Sequence, residues 1–220
     1  MDRIPIKSNP RLFDKPFALI QSQIGEKIDW LDHVFGLCEK ITVMENGRAF
    51  KSANVYVGGE NYAQIMPCSE LGNFCFFMLK DPQERVGANR NYIYSPFYAV
   101  FWYNVMEVSS SADDRNREAV KEEILQVLNT IRTPYIEWER LYERPENIFD
   151  DFTYDFTRNQ YLMSPYAGIR VEGRIRAEIP CWKGKCGDFN NDFNNDYSNR
   201  HCEGEKQKKD FSKDYNKDYR

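Results

Sequence analysis

Apolar side chains recur along this chain in two rhythms, one helical and one alternating. From Phe17 onward, Leu19, Ile20, Ile24, Ile28, Leu31, Val34, Phe35 and Cys38 are spaced for one helix face, which predicts a helix of about six turns. Pro16 fits its first turn, where a missing N–H costs little, and Asp14 is the candidate N-cap. A second helix is predicted over Arg115–Ile131, preceded by the cap candidates Asp113 and Asp114. There Ala119, Val120, Ile124, Val127, Leu128 and Ile131 form a single apolar stripe. The opposite face sets Glu118 beside Glu122 and Arg117 beside Lys121, so it is merely solvated.

Between and after these helices the pattern shortens. Asn46-Gly47 separates two extended runs, Ile41–Glu45 and Arg48–Val57, and predicts a hairpin that ends at Gly58-Gly59. Tyr62–Pro67 reads as a short extended piece, and Phe74–Lys80 as a strand buried on both faces. Asp81–Asn91 is a polar loop and Pro96–Val108 a long aromatic strand. Tyr135–Glu143 reads as a short helix before the Arg144-Pro145 stop, with a further turn at Asn147–Phe152. The last strand, Ala167–Ile179, alternates strictly. Ile169, Val171, Gly173, Ile175, Ala177 and Ile179 occupy the face expected in the core. Arg170, Glu172, Arg174, Arg176 and Glu178 occupy the other, expected to be exposed and the candidate subunit interface. The element order predicts an α+β fold: an antiparallel or mixed sheet of about four to six strands with two main helices packed on one face.

At Pro180 the composition changes. Cys181–Arg220 has no Leu, Ile, Val, Met or Ala, and repeats D-[FY]-x-x from Asp188, Asp192, Asp196, Asp210, Asp214 and Asp218. Such a segment buries too little apolar area to offset its ordering entropy, which predicts disorder. It also accounts for a mean hydropathy of -0.71 in a chain with 41% hydrophobic residues. The expected organisation is an irregular arm over 1–14, an α+β domain over 15–180 and a low-complexity tail over 181–220. The echo of the repeat at Asp151–Arg158 is read as chance.

Charge and chemistry narrow the picture. A net charge of -4 gives no field for nucleic acid. No apolar run approaches the ~18 residues of a membrane span, and the N-terminus lacks an apolar signal core. Cys38, Cys68 and Cys75 sit among apolar residues and read as buried free thiols. His33 reads as a helix-surface or core histidine rather than a general base. Cys181, Cys186, His201 and Cys202 have an awkward spacing for zinc and read as loose tail residues. Asp150, Asp151 and Asp155, near Glu146, alternate with Phe149, Phe152 and Phe156, as an amphipathic surface segment does. Phe97, Tyr98, Phe101, Trp102 and Tyr103 lack neighbouring Lys or Arg on their strand and read as core rather than as a base-stacking platform. No catalytic, metal or cofactor site is expected.

The order helix–hairpin–strands–helix–strand, closing on NIFDDFTYDFTRNQYLMSPYAGIRVEGRIRAEI, resembles small neck and tail proteins of tailed phages and prophages. It is most similar to the tail-terminator and tail-completion class, over roughly residues 15–180 at the level of element order. The resemblance implies a non-enzymatic structural protein that caps the tail or joins it at the head–tail junction. It implies a ring of copies, commonly six, touching tail tube and neck proteins, with no membrane and no sequence-specific nucleic acid as partner. The implied location is the virion, with the host cytoplasm during assembly. The competing expectation is an adaptor domain of mobile-element origin that recruits a partner through its tail.

Overall fold

The computed structural model describes residues 1–45, 47–65, 70–86, 91–108, 117–131, 136–152 and 164–179. The chain divides into two units, Met1–Glu178 and Ile179–Arg220, and every described helix and strand lies in the first. The expected tail, with Cys181, Cys186, His201 and Cys202, lies outside the described residues, as do Cys68, Asp113, Asp114 and Asp155.

The fold is α+β. In chain order the elements are α1 (Asp14–Lys27), β1 (His33–Leu37), β2 (Glu39–Glu45), β3 (Arg48–Gly58), β4 (Asn61–Ile65), β5 (Phe74–Leu79), β6 (Glu84–Val86) and β7 (Tyr92–Asn104). Then follow α2 (Val105–Val108), α3 (Arg117–Thr130), β8 (Ile136–Tyr142), α4 (Pro145–Ile148) and β9 (Tyr166–Glu178). A six-stranded mixed sheet has the order β1-β5-β7-β9-β8, with β6 also on β7; β1 runs parallel to β5 and the other pairs are antiparallel. A second sheet is the antiparallel set β2-β3-β4. Its first turn is the expected hairpin, with Glu45 opposite Arg48 and Gly47 at φ 75.

Two cores lie on the two faces of the main sheet. On one face α1 and α3 bury Phe17, Ile20, Ile24, Ile124 and Leu128 against Phe97, Ala99, Phe101, Ile169 and Ile175. On the other, Ala53, Val55 and Ile65 of the small sheet, with Ile148, Phe149 and Phe152, cover Phe74, Phe76, Val100 and Trp102. The paired β5 and β7 serve both cores, which explains their unbroken apolar runs. Phe97, Tyr98, Phe101, Trp102 and Tyr103 of β7 are therefore core, and Cys38 and Cys75 are buried free thiols.

Several expectations need correction. The first helix ends at Lys27, and Val34 and Phe35 belong to β1, turned to opposite cores. His33 is thus a strand residue. Apolar spacing over 28–38 suits a helix, but strand partners decide otherwise: the N–H groups of Asp32 and His33 donate to the Asn73 carbonyl just before β5. Arg3 donates to the carbonyls of Ile28, Asp29 and Leu31, satisfying acceptors freed where the helix stops. The arm before α1 is irregular but docked, since Val34 N–H donates to Arg3 O and buried Gln21 donates to Pro5 O. Asp14 is the first helical residue rather than the cap; its carboxylate accepts from Arg11 N–H and Lys7.

Residues 136–142 form a strand, not a helix. Ile136, Trp138 and Leu141 all pack on the helix-side core, and a bulge between Trp138 and Arg140 adds one residue to the alternation. The resulting spacing imitates a helix. The aromatic strand begins earlier than expected, at Tyr92, and turns helical at Val105. The polar loop 81–91 contains β6, and the turn expected at 147–152 begins at Pro145 as α4.

Asn73 joins the two segments that lead into β1 and β5. Its side chain donates to Trp30 O at 3.2 Å and accepts from Asn104 N–H at 2.7 Å, and the residue is buried. Asn73→Ala strands both partners, so it should cost about 1–3 kcal/mol, read as a lower urea midpoint at unchanged slope.

Candidate functional site

Strand β9 pairs along its whole length with β7, so its even-numbered side chains share a face with Tyr92, Tyr94, Pro96, Tyr98, Val100 and Trp102. The small sheet and segment 145–152 cover the Trp102 end of that face. Arg170, opposite Val100 and Tyr142, falls where the apolar cover gives way to polar side chains.

Arg170 is 1% exposed. Its guanidinium carbon lies 3.9 Å from the centre of the Tyr98 ring, a cation–π stack, with the Tyr142 ring farther off at 5.8 Å. One terminal nitrogen donates to Asn147 O at 3.1 Å and to the Asp150 carboxylate; the other donates to Glu172 at 2.6 Å. Asp151 stands 3.7 Å away and accepts from Lys40 of β2 at 3.2 Å. Glu172 also accepts from Lys80 at 2.8 Å and from the Tyr142 hydroxyl at 3.3 Å. Arg170, Lys40 and Lys80 therefore balance Asp150, Asp151 and Glu172, and the set links β2, β7, β8, β9 and segment 145–152.

Burial opposes the charges of Arg170, Asp151 and Glu172, but the partners prevail. Burial would lower the Arg170 pKa, yet the bond to Glu172 and the charge of Asp150 raise it above its ordinary value. Burial would raise Asp151, yet Lys40, Tyr98 and Arg170 hold it below its ordinary 3.8. Burial would raise Glu172, yet Lys80 and Arg170 hold it below 4.5. Burial first, and then the charge of Asp151, push the Tyr98 phenol far up. Near neutral pH Asp151 and Glu172 stay ionised and the Tyr98 phenol protonated, so these three act as fixed charges and donors rather than as a proton relay. The contribution of Asp151 and Glu172 to stability is complete above their ordinary values and is lost as pH falls through the lower folded ones.

The five residues of the expected stripe divide. Arg170 is buried and cannot meet a partner in this conformation, and Glu172 is half-buried. Arg174 is exposed and donates from Nε to Glu139 at 3.1 Å. Arg176 is half-buried, 4.6 Å from the Tyr92 ring centre, and Glu178 is exposed. Asp150 and Asp151 carried a sequence signal as an acid cluster and Tyr98 one as a core aromatic; Lys40, Lys80 and Tyr142 carried none, because strand pairing and the packing of the small sheet on the main one gather them.

His33 lies 3.3 Å from Asp2 O and stacks on Phe35 with ring centres 5.3 Å apart. A cleft lined by Pro5, Lys7, Asp14, Gln21 and Tyr56 holds about 20 Å³, room for a water rather than an organic ligand. Among the described residues no group of three or more His, Cys, Asp or Glu converges to hold a metal ion, and no helix is long and apolar enough to cross a membrane. No family model and no curated protein matches this sequence.

Proposed function

We propose that this chain is a non-enzymatic structural protein that works by assembling with copies of itself into a ring. Its place would be that of a tail-terminator or tail-completion protein, capping or joining a phage tail at the head–tail junction. The observation that carries the assembly reading is the polar end of the main sheet, where Tyr92 and Tyr94 lie opposite Glu178 and Arg176. Glu137, opposite Arg174, and Glu139, its ion-pair partner, flank them from β8. Tyr and Arg are the residue types that interfaces favour, and alternating charge sets register. The Arg174–Glu139 pair is 61% and 42% exposed, so it contributes little within one subunit and is readily exchanged for a pair between subunits. The phage assignment within this class rests on the resemblance in element order.

The test is native mass spectrometry and sedimentation of the full chain across a concentration series. Wild type should form a discrete oligomer, and Arg174→Glu should remain folded by circular dichroism but monomeric. A wild type that stays monomeric at every concentration would remove the ring reading. Unchanged assembly of the variant would remove this surface from it.

A further inference from the structure

Segment 145–152 is held to the sheet by two unlike kinds of contact. Ile148, Phe149 and Phe152 are buried in the second core, with Phe152 edge-on to Phe76 at 6.1 Å between ring centres. Asn147, Asp150 and Asp151 reach Arg170, and Asp151 also reaches Lys40. Three apolar side chains are a small anchor for a segment of this length, because each ordered residue loses backbone entropy whether or not it buries anything. The charged contacts to Arg170 and Lys40 add to this anchor.

We propose that residues 145–152 are a latched strap that opens as one unit, ahead of the rest of the domain, when the charges of Asp150 and Asp151 are removed. Opening uncovers Arg170, which lies on the same face of β9 as Arg174, Arg176 and Glu178. The strap thus sets how far the charged row extends: short when latched, and joined by Arg170 when open. That consequence rests on the proposed ring assembly; the opening itself does not.

The groups facing the latch come from every element packed on it. They are Arg170 and Glu172 on β9, Tyr98 on β7, Tyr142 and Arg140 on β8, Lys80 after β5, and Lys40, Glu39 and Cys38 around β2. Arg170 stays charged throughout, so acid acts through Asp151, and the wild-type strap should loosen as pH falls below its ordinary 3.8 and through its lower folded value.

Hydrogen exchange read by mass spectrometry on the full chain tests this. In the Asp150→Asn/Asp151→Asn variant at neutral pH, amides of 147–152 should exchange at least about tenfold faster than in wild type, with those of 97–103 unchanged. Equal exchange of 147–152 in the two proteins would overturn the latch. Should the variant fail to fold, wild type in low denaturant gives the same decision. Strap amides exchanging with a weak denaturant dependence support a local opening, and the full dependence of global unfolding refutes it. Mass measurement on the same samples reports assembly separately, so a failed latch and a failed ring are told apart.

Discussion

Arg170→Ala should lower the free energy of unfolding by about 3–5 kcal/mol, the cost of removing one member of a buried ion network. The loss falls on several layers together. Glu172 keeps Lys80 and the Tyr142 hydroxyl, Asp151 keeps Lys40 and Tyr98, Asn147 O loses a donor, and the Tyr98 ring loses its cation. Arg170→Lys should recover only part of it, because an ammonium cannot fork between Asp150 and Glu172 while stacking flat on a ring. Arg170→Met keeps most of the volume and separates packing from charge. Urea denaturation at pH 7 reads all three. A loss under about 1 kcal/mol for alanine would show that the cluster contributes no more than a surface pair.

Gly173→Ala should be the most damaging change on the core face of β9. A Cβ there would stand 2.2 Å from Glu137 O, a backbone atom that no rotamer change can move, and 3.1 Å from the Phe97 ring. Phe97 also packs on Trp138, with ring centres 5.1 Å apart, so the glycine is the gap that lets this aromatic pair lie over the β8–β9 seam. Overpacking costs typically ~1–3 kcal/mol, and this contact belongs at the upper end because a strand must shift. Edge strand β8 should detach first, visible as rapid exchange of amides 136–142 while those of β7 and β5 stay protected. Exchange that rises uniformly across the domain would contradict that order.

Both effects fall on a strand whose alternation was plain in the sequence. The core face of β9 was legible because Ile169, Val171, Ile175 and Ala177 repeat with period two and are buried. The hairpin at Asn46-Gly47, the run of β5, the stripe of α3 apart from exposed Ala119 and the α+β class were legible for the same local reason. The candidate site was less so. Alternation marks Arg170 as opposite the core residues, and in a sheet covered on one side that means solvent. Here both faces are covered near Trp102, so the same position became the centre of a buried network. Gly173 showed the converse, since its place on the core face was evident but the close approach of Glu137 was not.

Where periodicity was ambiguous, partners decided. Residues 28–38 carry helix spacing but are bent into β1 by Asn73 and Arg3, which lie far along the chain on either side. Residues 136–142 carry near-helical spacing because of a bulge that exists only in the pairing with β9. Which residues are apolar, where turns can form and which face each regular element buries follow from the order of side chains, because these depend on neighbours along the chain. Packing across the sheet settles that a second layer closes over the Arg170 end of the charged row while Arg174 remains exposed, and that Lys40 and Lys80 meet carboxylates from distant segments. Burial and ion pairing depend on what packs across the sheet, and no local pattern encodes that.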